Sequence, residues 1–343
     1  MTKKDIKDFT QEELEKIVLK LKEQPYRAEQ VFFWLYKKGV DNFSQMNNIP
    51  KSLQRSLSEN YLLSALTLAE HQKSQDGVEK FLFRLSDANY IETVLIHSKY
   101  RQTICISTQV GCKFRCLFCA SGSKGYVRNL KPAEIVNQVL FLQNNFLNTI
   151  TNYVFMGMGE PLDNYDNLSK ALLIMNDEKA MNIGSRRMTI STCGIIPGID
   201  KLKKLGLQVN LSVSLHAADN QKRDKLMPVN KIYPLEKLIT ACEKFMEKTG
   251  RIITLEYVLM KEKNDTAQDA DALSVIAKRL NAKVNLIAYS RVGNLGLESP
   301  LAKDIALFAN RLRKNGAKVT VRDSRGKDIA AACGQLAGKK KDE

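Results

Sequence analysis

The sequence predicts an α/β protein in which a parallel sheet alternates with helices, behind a small N-terminal helical domain. Three observations predict it. From residue 103 onward, the strand-like runs "TICIST", "NYVFMGM", "RMTIST", "VNLSVSL", "RIITLEYVLM", "KVNLIAY" and "AKVTVR" alternate with helical stretches at 131–147, 166–179, 197–205, 234–248, 267–280 and 302–315. That rhythm implies parallel strands joined by helical crossovers, in an open wound sheet or a curled barrel. Residues 1–60 carry helical periodicity instead. Finally, the notable polar residues sit at strand ends: the cysteine loop after "TICISTQ", Gly159 and Glu160 after "NYVFMGM", Ser191 in "ISTCG", and His216 after "LSVSL". In parallel β/α barrels chemistry collects on loops after the carboxyl ends of strands, so this pattern favours one working face.

The elements read in order as follows. "TQEELEKIVLKLKEQ" opens on Thr10 as an N-cap with Glu13 three residues later, a capping box. Its Leu14, Ile17, Val18 and Leu21 share one helical face. "YRAEQVFFWLYKKG" gives a second helix that stops near Gly39, with Val31, Phe32, Leu35 and Trp34 as core residues of a small domain rather than a base-stacking platform. A third short helix follows Pro50. Residues 78–97, "VEKFLFRLSDANYIETVLIH", read as two strands around the turn "SDAN".

At 343 residues the chain has a soft prior of two domains, taking about 150 residues for each. Its 44% hydrophobic and 26% charged content excludes a disordered or collagen-like chain. No apolar run approaches the roughly 18 residues of a membrane helix, and "MTKKDIKDFTQEELEK" lacks the apolar core of a secretory signal. A cytoplasmic protein with no membrane partner is expected. Neither a GxGxxG fingerprint nor a P-loop is present, so nothing points to a dinucleotide or nucleoside triphosphate.

Charge is uneven. Residues 1–80 hold 13 basic and 12 acidic side chains; the remaining 40 basic and 25 acidic groups put a net +15 on residues 81–343. Nucleic acid is the leading partner for such a surface, because cations that neutralise phosphates release counterions. The clusters "RRM" at 186–188, "KKLGL" at 203–207, "QKRDK" at 221–225 and "RDSRGKD" at 322–328 are expected around the working face.

The seven cysteines are Cys105, Cys112, Cys116, Cys119, Cys193, Cys242 and Cys333. The spacing Cys112-x3-Cys116-x2-Cys119 puts three soft thiolates on one short loop, suited to three irons of a cubane iron–sulfur cluster. With no fourth cysteine nearby, one iron would stay open. Structural zinc takes four protein ligands, and His71, His97 and His216 all lie outside this loop. Cys193 and Cys242 read as structural.

"CKFRCLFC" resembles the cluster loop of the radical S-adenosylmethionine (SAM) superfamily, and "FMGMGEPL" its glycine-rich cofactor segment. Together with "ISTQVGC", "RRMTISTCG", "SLHAADNQKRDKLMPVNKIYP" and "DIAAACGQLAG", the chain is similar to the RlmN group of RNA adenine-C2 methyltransferases from about residue 12 to 338. The related Cfr group methylates C8; "GEPL" with Pro161 and "ACGQLAG" resemble the C2 group better. A non-catalytic RNA-binding metalloprotein is the rival of a different class. The resemblance implies a partial parallel (β/α)6 barrel of radical SAM type at 103–325. It also implies an N-terminal RNA-binding helical domain at 1–75, a linker β-hairpin at 76–102, and a C-terminal segment at 326–343 with a reactive cysteine and a basic tail.

The resemblance also implies one [4Fe-4S] cluster on Cys112, Cys116 and Cys119, and two SAM molecules per turnover, one as methyl donor and one as radical source. C2 of adenine lies between two ring nitrogens and is electron-poor, so polar methyl transfer fails and a radical route is chemically reasonable; the cofactor supplies the reactivity and the protein the aim. Cys333 matches the cysteine that takes a methyl group on its thiolate. Cys105 matches the one that forms a transient disulfide with Cys333, and Glu92 in "YIETV" matches the proton acceptor. Read alone, Cys105 is a core strand residue, Cys333 a buried small side chain and Glu92 a surface strand carboxylate. Gly159, Glu160, Ser191, Ser214, Leu215 and His216 match SAM contacts. The family usually has Asn-Pro where this chain reads "NLIAYSRV"; Ser290 takes the Asn position, keeps one hydrogen bond and loses the amide pair, so it is a weaker contact. The implied partners are 23S rRNA, at an adenosine near the peptidyl-transferase centre, and tRNA, at the adenosine beside the anticodon. A flavodoxin or ferredoxin would donate electrons, and the protein would act as a monomer.

Overall fold

The computed structural model describes residues 3–146, 150–293 and 295–338; the basic tail read after residue 338 lies outside them. The N-terminal helices are α1 (Gln11–Lys20), α2 (Tyr26–Tyr36) and α3 (Lys51–Asn60). Thr10 Oγ1 accepts from Glu13 N at 3.4 Å and Glu13 Oε2 accepts from Thr10 N at 3.0 Å, the reciprocal cap read from the sequence. Leu14, Ile17 and Val18 of α1 pack with Val31, Phe32 and Leu35 of α2 in a continuous core. Trp34 belongs to that core's rim and donates Nε1–H to Asn48.

One ten-stranded sheet organises the rest, and its spatial order follows chain order. Its strands are β1 (Thr67–Lys73), β2 (Glu79–Arg84), β3 (Tyr90–His97), β4 (Gln102–Cys105), β5 (Asn152–Phe155), β6 (Met188–Thr192), β7 (Asn210–Ser214), β8 (Thr254–Leu259), β9 (Lys283–Ala288) and β10 (Lys318–Arg322). From β4 to β10 every pairing is parallel; β1 to β4 pair antiparallel. The crossovers carry α4 (Pro132–Asn145), α5 (Tyr165–Asn176), α6 (Ile196–Leu202), α7 (Leu235–Thr249), α8 (Ala267–Arg279) and α9 (Ala302–Lys314). This is the expected partial parallel β/α barrel, six strand–helix units and a last strand.

The antiparallel strands refine the domain reading. The 78–97 hairpin is not a free-standing linker but continues the barrel sheet, and β1, which falls within the 1–75 helical region of the sequence reading, extends that sheet by one more strand.

Side chains alternate along each parallel strand. Ile104, Phe155, Ile190, Leu211, Leu255 and Val284 are buried on the core face. Their neighbours Thr103, Asn152, Thr189, Asn210, Ser212 and Asn285 line the barrel's interior space instead. A closed β/α barrel usually fills that interior with branched apolar layers; here it is polar and open.

The N-terminal domain is tied to the first crossover. Lys7 Nζ donates to Asn137 Oδ1 on α4 at 3.0 Å and to Ser64 O at 3.0 Å, and Asp8 accepts from Ala133 N at 3.0 Å.

Candidate active site

At the carboxyl ends of the parallel strands lies a cavity that opens to solvent. Cys112, Cys116 and Cys119, on the loop after β4, line it. Burial pushes the Cys112 thiol up to about 12 and Cys116 well above its ordinary value; Cys119 adds to the rise of both, and Cys112 to that of Cys116. A metal's positive charge is the natural counterweight to thiolates so placed. Among the described residues, no three His, Cys, Asp or Glu groups gather closely enough to hold a single ion. The three thiols line one cavity, and soft thiolates on one short loop suit a cubane in which each binds its own iron.

Opposite the cysteines stands the "MGMGEP" turn after β5. Gly159 has φ +95°, and a Cβ there would lie 2.4 Å from Gln109 Cβ. A Cβ on Gly157 would lie 2.7 Å from Ile106 O. Only glycine lets these two strand-end loops lie against each other. The turn delivers Glu160 into the wall, buried, with Oε1 accepting from Leu162 N at 3.0 Å and Oε2 from Cys193 N at 2.7 Å. Burial raises its pKa and those backbone donors hold the rise in check.

Ser191 at the end of β6, Ser214 at the end of β7, and His216 complete the wall. His216 has φ +55° and is buried. Its Nδ1 accepts from Val258 N at 3.0 Å, so the neutral ring carries its proton on Nε2. Burial, with help from Arg223, pushes its pKa down to about 3, and Phe118 packs edge-on at 4.6 Å. Leu215 lies behind the wall: its N donates to Glu256 O and its O accepts from Arg223. Ser290 is buried and, like Leu215, is not among the residues lining the cavity.

The C-terminal segment reaches the same cavity. Cys333 is exposed on its wall, yet surrounded closely enough by protein that desolvation raises its thiol pKa; Arg322 opposes the rise and Glu256 adds to it. Gly334 O accepts from Ala120 N at 2.7 Å, beside Cys119, and Ser121 Oγ donates to Leu336 O at 2.7 Å. Cys105 stands on the interior face of β4, one alternation along from Thr103. Burial first and then the neighbouring Cys333 push its thiol up to about 12. Both sulfurs are free thiols.

Glu92 corrects the reading of a surface carboxylate: it is buried in β3. Val94 pairs with Cys105 across β3 and β4, so Glu92, two residues before Val94, shares the Cys105 face. It does not line the cavity. Its Oε1 pairs with Lys80 Nζ at 3.0 Å, and its Oε2 accepts from Ala337 N at 2.6 Å and Gly338 N at 2.7 Å.

The basic clusters divide differently from expectation. "RRM" and "KKLGL" precede β6 and β7, hence lie at the amino ends of the strands, away from the cavity. Arg223 of "QKRDK" is fully buried: its guanidinium donates to the carbonyls of Leu215, Cys193 and Ser214 and to Asn230 Oδ1. "QKRDK" and "RDSRGKD" both follow a strand's carboxyl end, as expected. Sequence reading also missed the wall residues Cys193 and Glu256, whereas Arg322 of "RDSRGKD" does line the cavity. Cys193 follows Ser191 by two residues at the end of β6, a position that could have marked it.

The donor set fits a radical SAM centre: three soft sulfurs for iron, a buried carboxylate for a cationic amine, and two hydroxyls and an imidazole N–H for the polar remainder of the cofactor. Comparison with known proteins agrees. Residues 106–273 match the Radical SAM superfamily, and residues 4–63 match the ribosomal RNA large subunit methyltransferase N-terminal domain. A probable dual-specificity RNA methyltransferase RlmN from Clostridium novyi is 44% identical over 334 residues, 97% of each chain. Its counterpart from Clostridioides difficile is 42% identical over 344 residues, covering 99% of this chain and 100% of that one. The crystal structure of a radical SAM methyltransferase from Sphaerobacter thermophilus superposes with a TM-score of 0.93 at 40% identity, over 98% of this chain and 100% of the other. On cavity, donor set and full-length similarity together, this chain belongs to the RlmN family of radical SAM methyltransferases.

Proposed function

We propose that the protein is a dual-specificity RNA methyltransferase that methylates C2 of an adenosine near the peptidyl-transferase centre of 23S rRNA and of the adenosine beside the anticodon in tRNA. The observation that carries this reading is the meeting of Cys333 with the Cys112, Cys116 and Cys119 loop at one cavity, more than two hundred residues apart in sequence. A cluster site alone would serve many radical reactions; a second, exposed thiol on its wall is what a methyl-carrying route needs.

A [4Fe-4S] cluster with SAM, two molecules per turnover, supplies one-electron bond cleavage and the methyl group. Cys112, Cys116 and Cys119 would hold the cluster. Glu160, Ser191, Ser214 and His216 would hold SAM, with Ser290 and the Leu215 backbone supporting from behind the wall. Cys333 Sγ, as thiolate, accepts the methyl group. Cys105, on the interior face beside it, resolves the protein–RNA bond through a transient disulfide with Cys333. Glu92, on the same face as Cys105, accepts the C2 proton. A stacked base reaches this cavity only if it is extruded. A flavodoxin- or ferredoxin-type donor supplies electrons, and the enzyme works as a cytoplasmic monomer on RNA.

Anaerobic reconstitution with iron and sulfide, followed by RNA methylation with wild type and Cys333→Ala, tests the route. Wild type is expected to give 2-methyladenosine, mapped by mass spectrometry, and the variant none. Methylation by Cys333→Ala at the wild-type rate refutes it, and 8-methyladenosine as product refutes the C2 assignment.

A further inference from the structure

Glu92 makes too many contacts for a carboxylate waiting for substrate. Both its oxygens are engaged: Lys80 Nζ sits 3.0 Å from Oε1, and the backbone N–H groups of Ala337 and Gly338 donate to Oε2 at 2.6 and 2.7 Å. Two of those three partners belong to the segment that carries Cys333.

That segment is built as an arm. Its root is bound to the turn between β1 and β2 and to the end of β3: Gly326 N donates to Asp76 Oδ2 at 2.8 Å, Ser74 Oγ donates to Asp328 Oδ1 at 2.5 Å, and Arg325 donates to the carbonyls of Asp76 and of His97 on β3. Between root and tip, Gly326, Ala330, Gly334 and Gly338 all have left-handed φ, of 70°, 51°, 84° and 62°. The chain therefore turns at every fourth residue and holds no long regular element of its own. Its middle rests on the cluster loop through the carbonyls of Gly334 and Leu336. Its tip is held by Glu92. A Cβ on Gly338 would lie 2.7 Å from Tyr90 O, so the tip enters that slot only as glycine.

On the reading that Cys333 carries the methyl group, one side chain thus has two incompatible duties. We infer that Glu92 is a latch as well as a base: it pins residues 337–338 while Cys333 faces the cluster cavity, and it becomes free to meet an RNA base only after the arm's tip is released. The arm-down state is the one in which Cys333 is loaded; the arm-up state is the one in which Glu92 is exposed. Lys80 stays with Glu92 in both. The same contact that positions Cys333 also keeps the base away from RNA too early, so the order of the two half-reactions is set by one pair of hydrogen bonds.

The carboxylate's two duties separate by substitution. The amide oxygen of Glu92→Gln still accepts from both N–H groups but is no base; Glu92→Ala loses both functions. Hydrogen exchange of the 329–338 peptide and the rate of Cys333 alkylation by iodoacetamide are read by mass spectrometry on the reconstituted full chain. Glu92→Gln is expected within about twofold of wild type in both, while failing to methylate RNA. Glu92→Ala is expected to raise both by about tenfold, the scale of losing hydrogen bonds to a charged acceptor. A chain ending at Leu336, which removes the two donors and leaves the barrel untouched, is expected to raise Cys333 alkylation to the same degree. Wild-type alkylation in either Glu92→Ala or the shortened chain overturns the latch. A wild-type enzyme whose Cys333 never carries a methyl group overturns the functional reading instead, and the exchange rates report on the arm independently of it.

Discussion

Arg223 donates Nη2–H to the carbonyl of Cys193 at 2.7 Å, from a position with no solvent exposure at all. The same guanidinium reaches Leu215 O at 3.1 Å, Ser214 O at 3.2 Å and Asn230 Oδ1 at 2.9 Å. The three carbonyls lie at or just past the ends of β6 and β7, where the cavity wall is made. One cation therefore satisfies backbone groups that parallel strands leave unpaired when they end inside a protein. Arg223→Ala should strand these carbonyls without partners, at about 1–3 kcal/mol for each buried acceptor. We expect a loss of more than about 3 kcal/mol in urea unfolding, with Arg223→Lys intermediate because a single ammonium cannot fork to all four. Equal stability of Arg223→Ala and wild type would show that the fork is dispensable.

Lys7 should make stability depend on pH in the alkaline range. Burial lowers its pKa from 10.5 to about 8. Between those values the unfolded chain binds the proton and the folded chain does not, so folding becomes more favourable as pH rises from 8 to 10.5. Below pH 8 the cost of burying the charge is fully present. The Lys7→Met variant lacks this titration. Wild type should gain about 3 kcal/mol on the variant across the window, read from urea midpoints at several pH values. Parallel curves for the two proteins would contradict it.

Gly159 should tolerate no side chain. Its φ of +95° and the 2.4 Å approach to Gln109 Cβ act together. Gly159→Ala must move the turn that carries Glu160, at about 1–3 kcal/mol of backbone strain. The expected result is a folded protein that binds SAM at least about tenfold more weakly by calorimetry, since Glu160 is displaced. Unaltered SAM affinity would remove Glu160 from the proposed contact set.

Cys105 has a separable role. Its thiol sits beside Cys333 on the interior face and takes no part in lining the cavity. Under the proposed route Cys105→Ala should leave Cys333 methylation intact and stall later, with covalent protein–RNA adduct accumulating on denaturing gels. Normal turnover by this variant, or loss of Cys333 methylation, would place its function elsewhere.

Much of this was legible in the chain. All seven strand-like runs after residue 103 became neighbours in one parallel register, because buried strands and amphipathic crossovers each leave a local hydrophobic signature. Thr10 and Glu13 formed their box because both partners lie within one helical turn. The cysteine loop was readable for the same reason: its three thiols lie within eight residues. Glu92 was not readable as a latch. Its partners Ala337 and Gly338 are 245 and 246 positions away, and no local pattern encodes a contact of that span. Arg223, a cation in a polar run, gave no hint that four acceptors would enclose it. Arg186 and Lys203 resembled RNA-facing cations until the direction of their strands put them at the opposite end.

Pattern and spacing alone thus specified the alternating architecture, the capped N-terminal helix and the three-cysteine loop, since each depends on neighbours along the backbone. Curling of the sheet was needed to bring Cys333 to the three-cysteine loop, to turn Cys105 toward it, and to give Glu92 its partners. Those are contacts between distant segments, and they exist only because strand order and twist fold remote parts of the chain onto the same few ångströms.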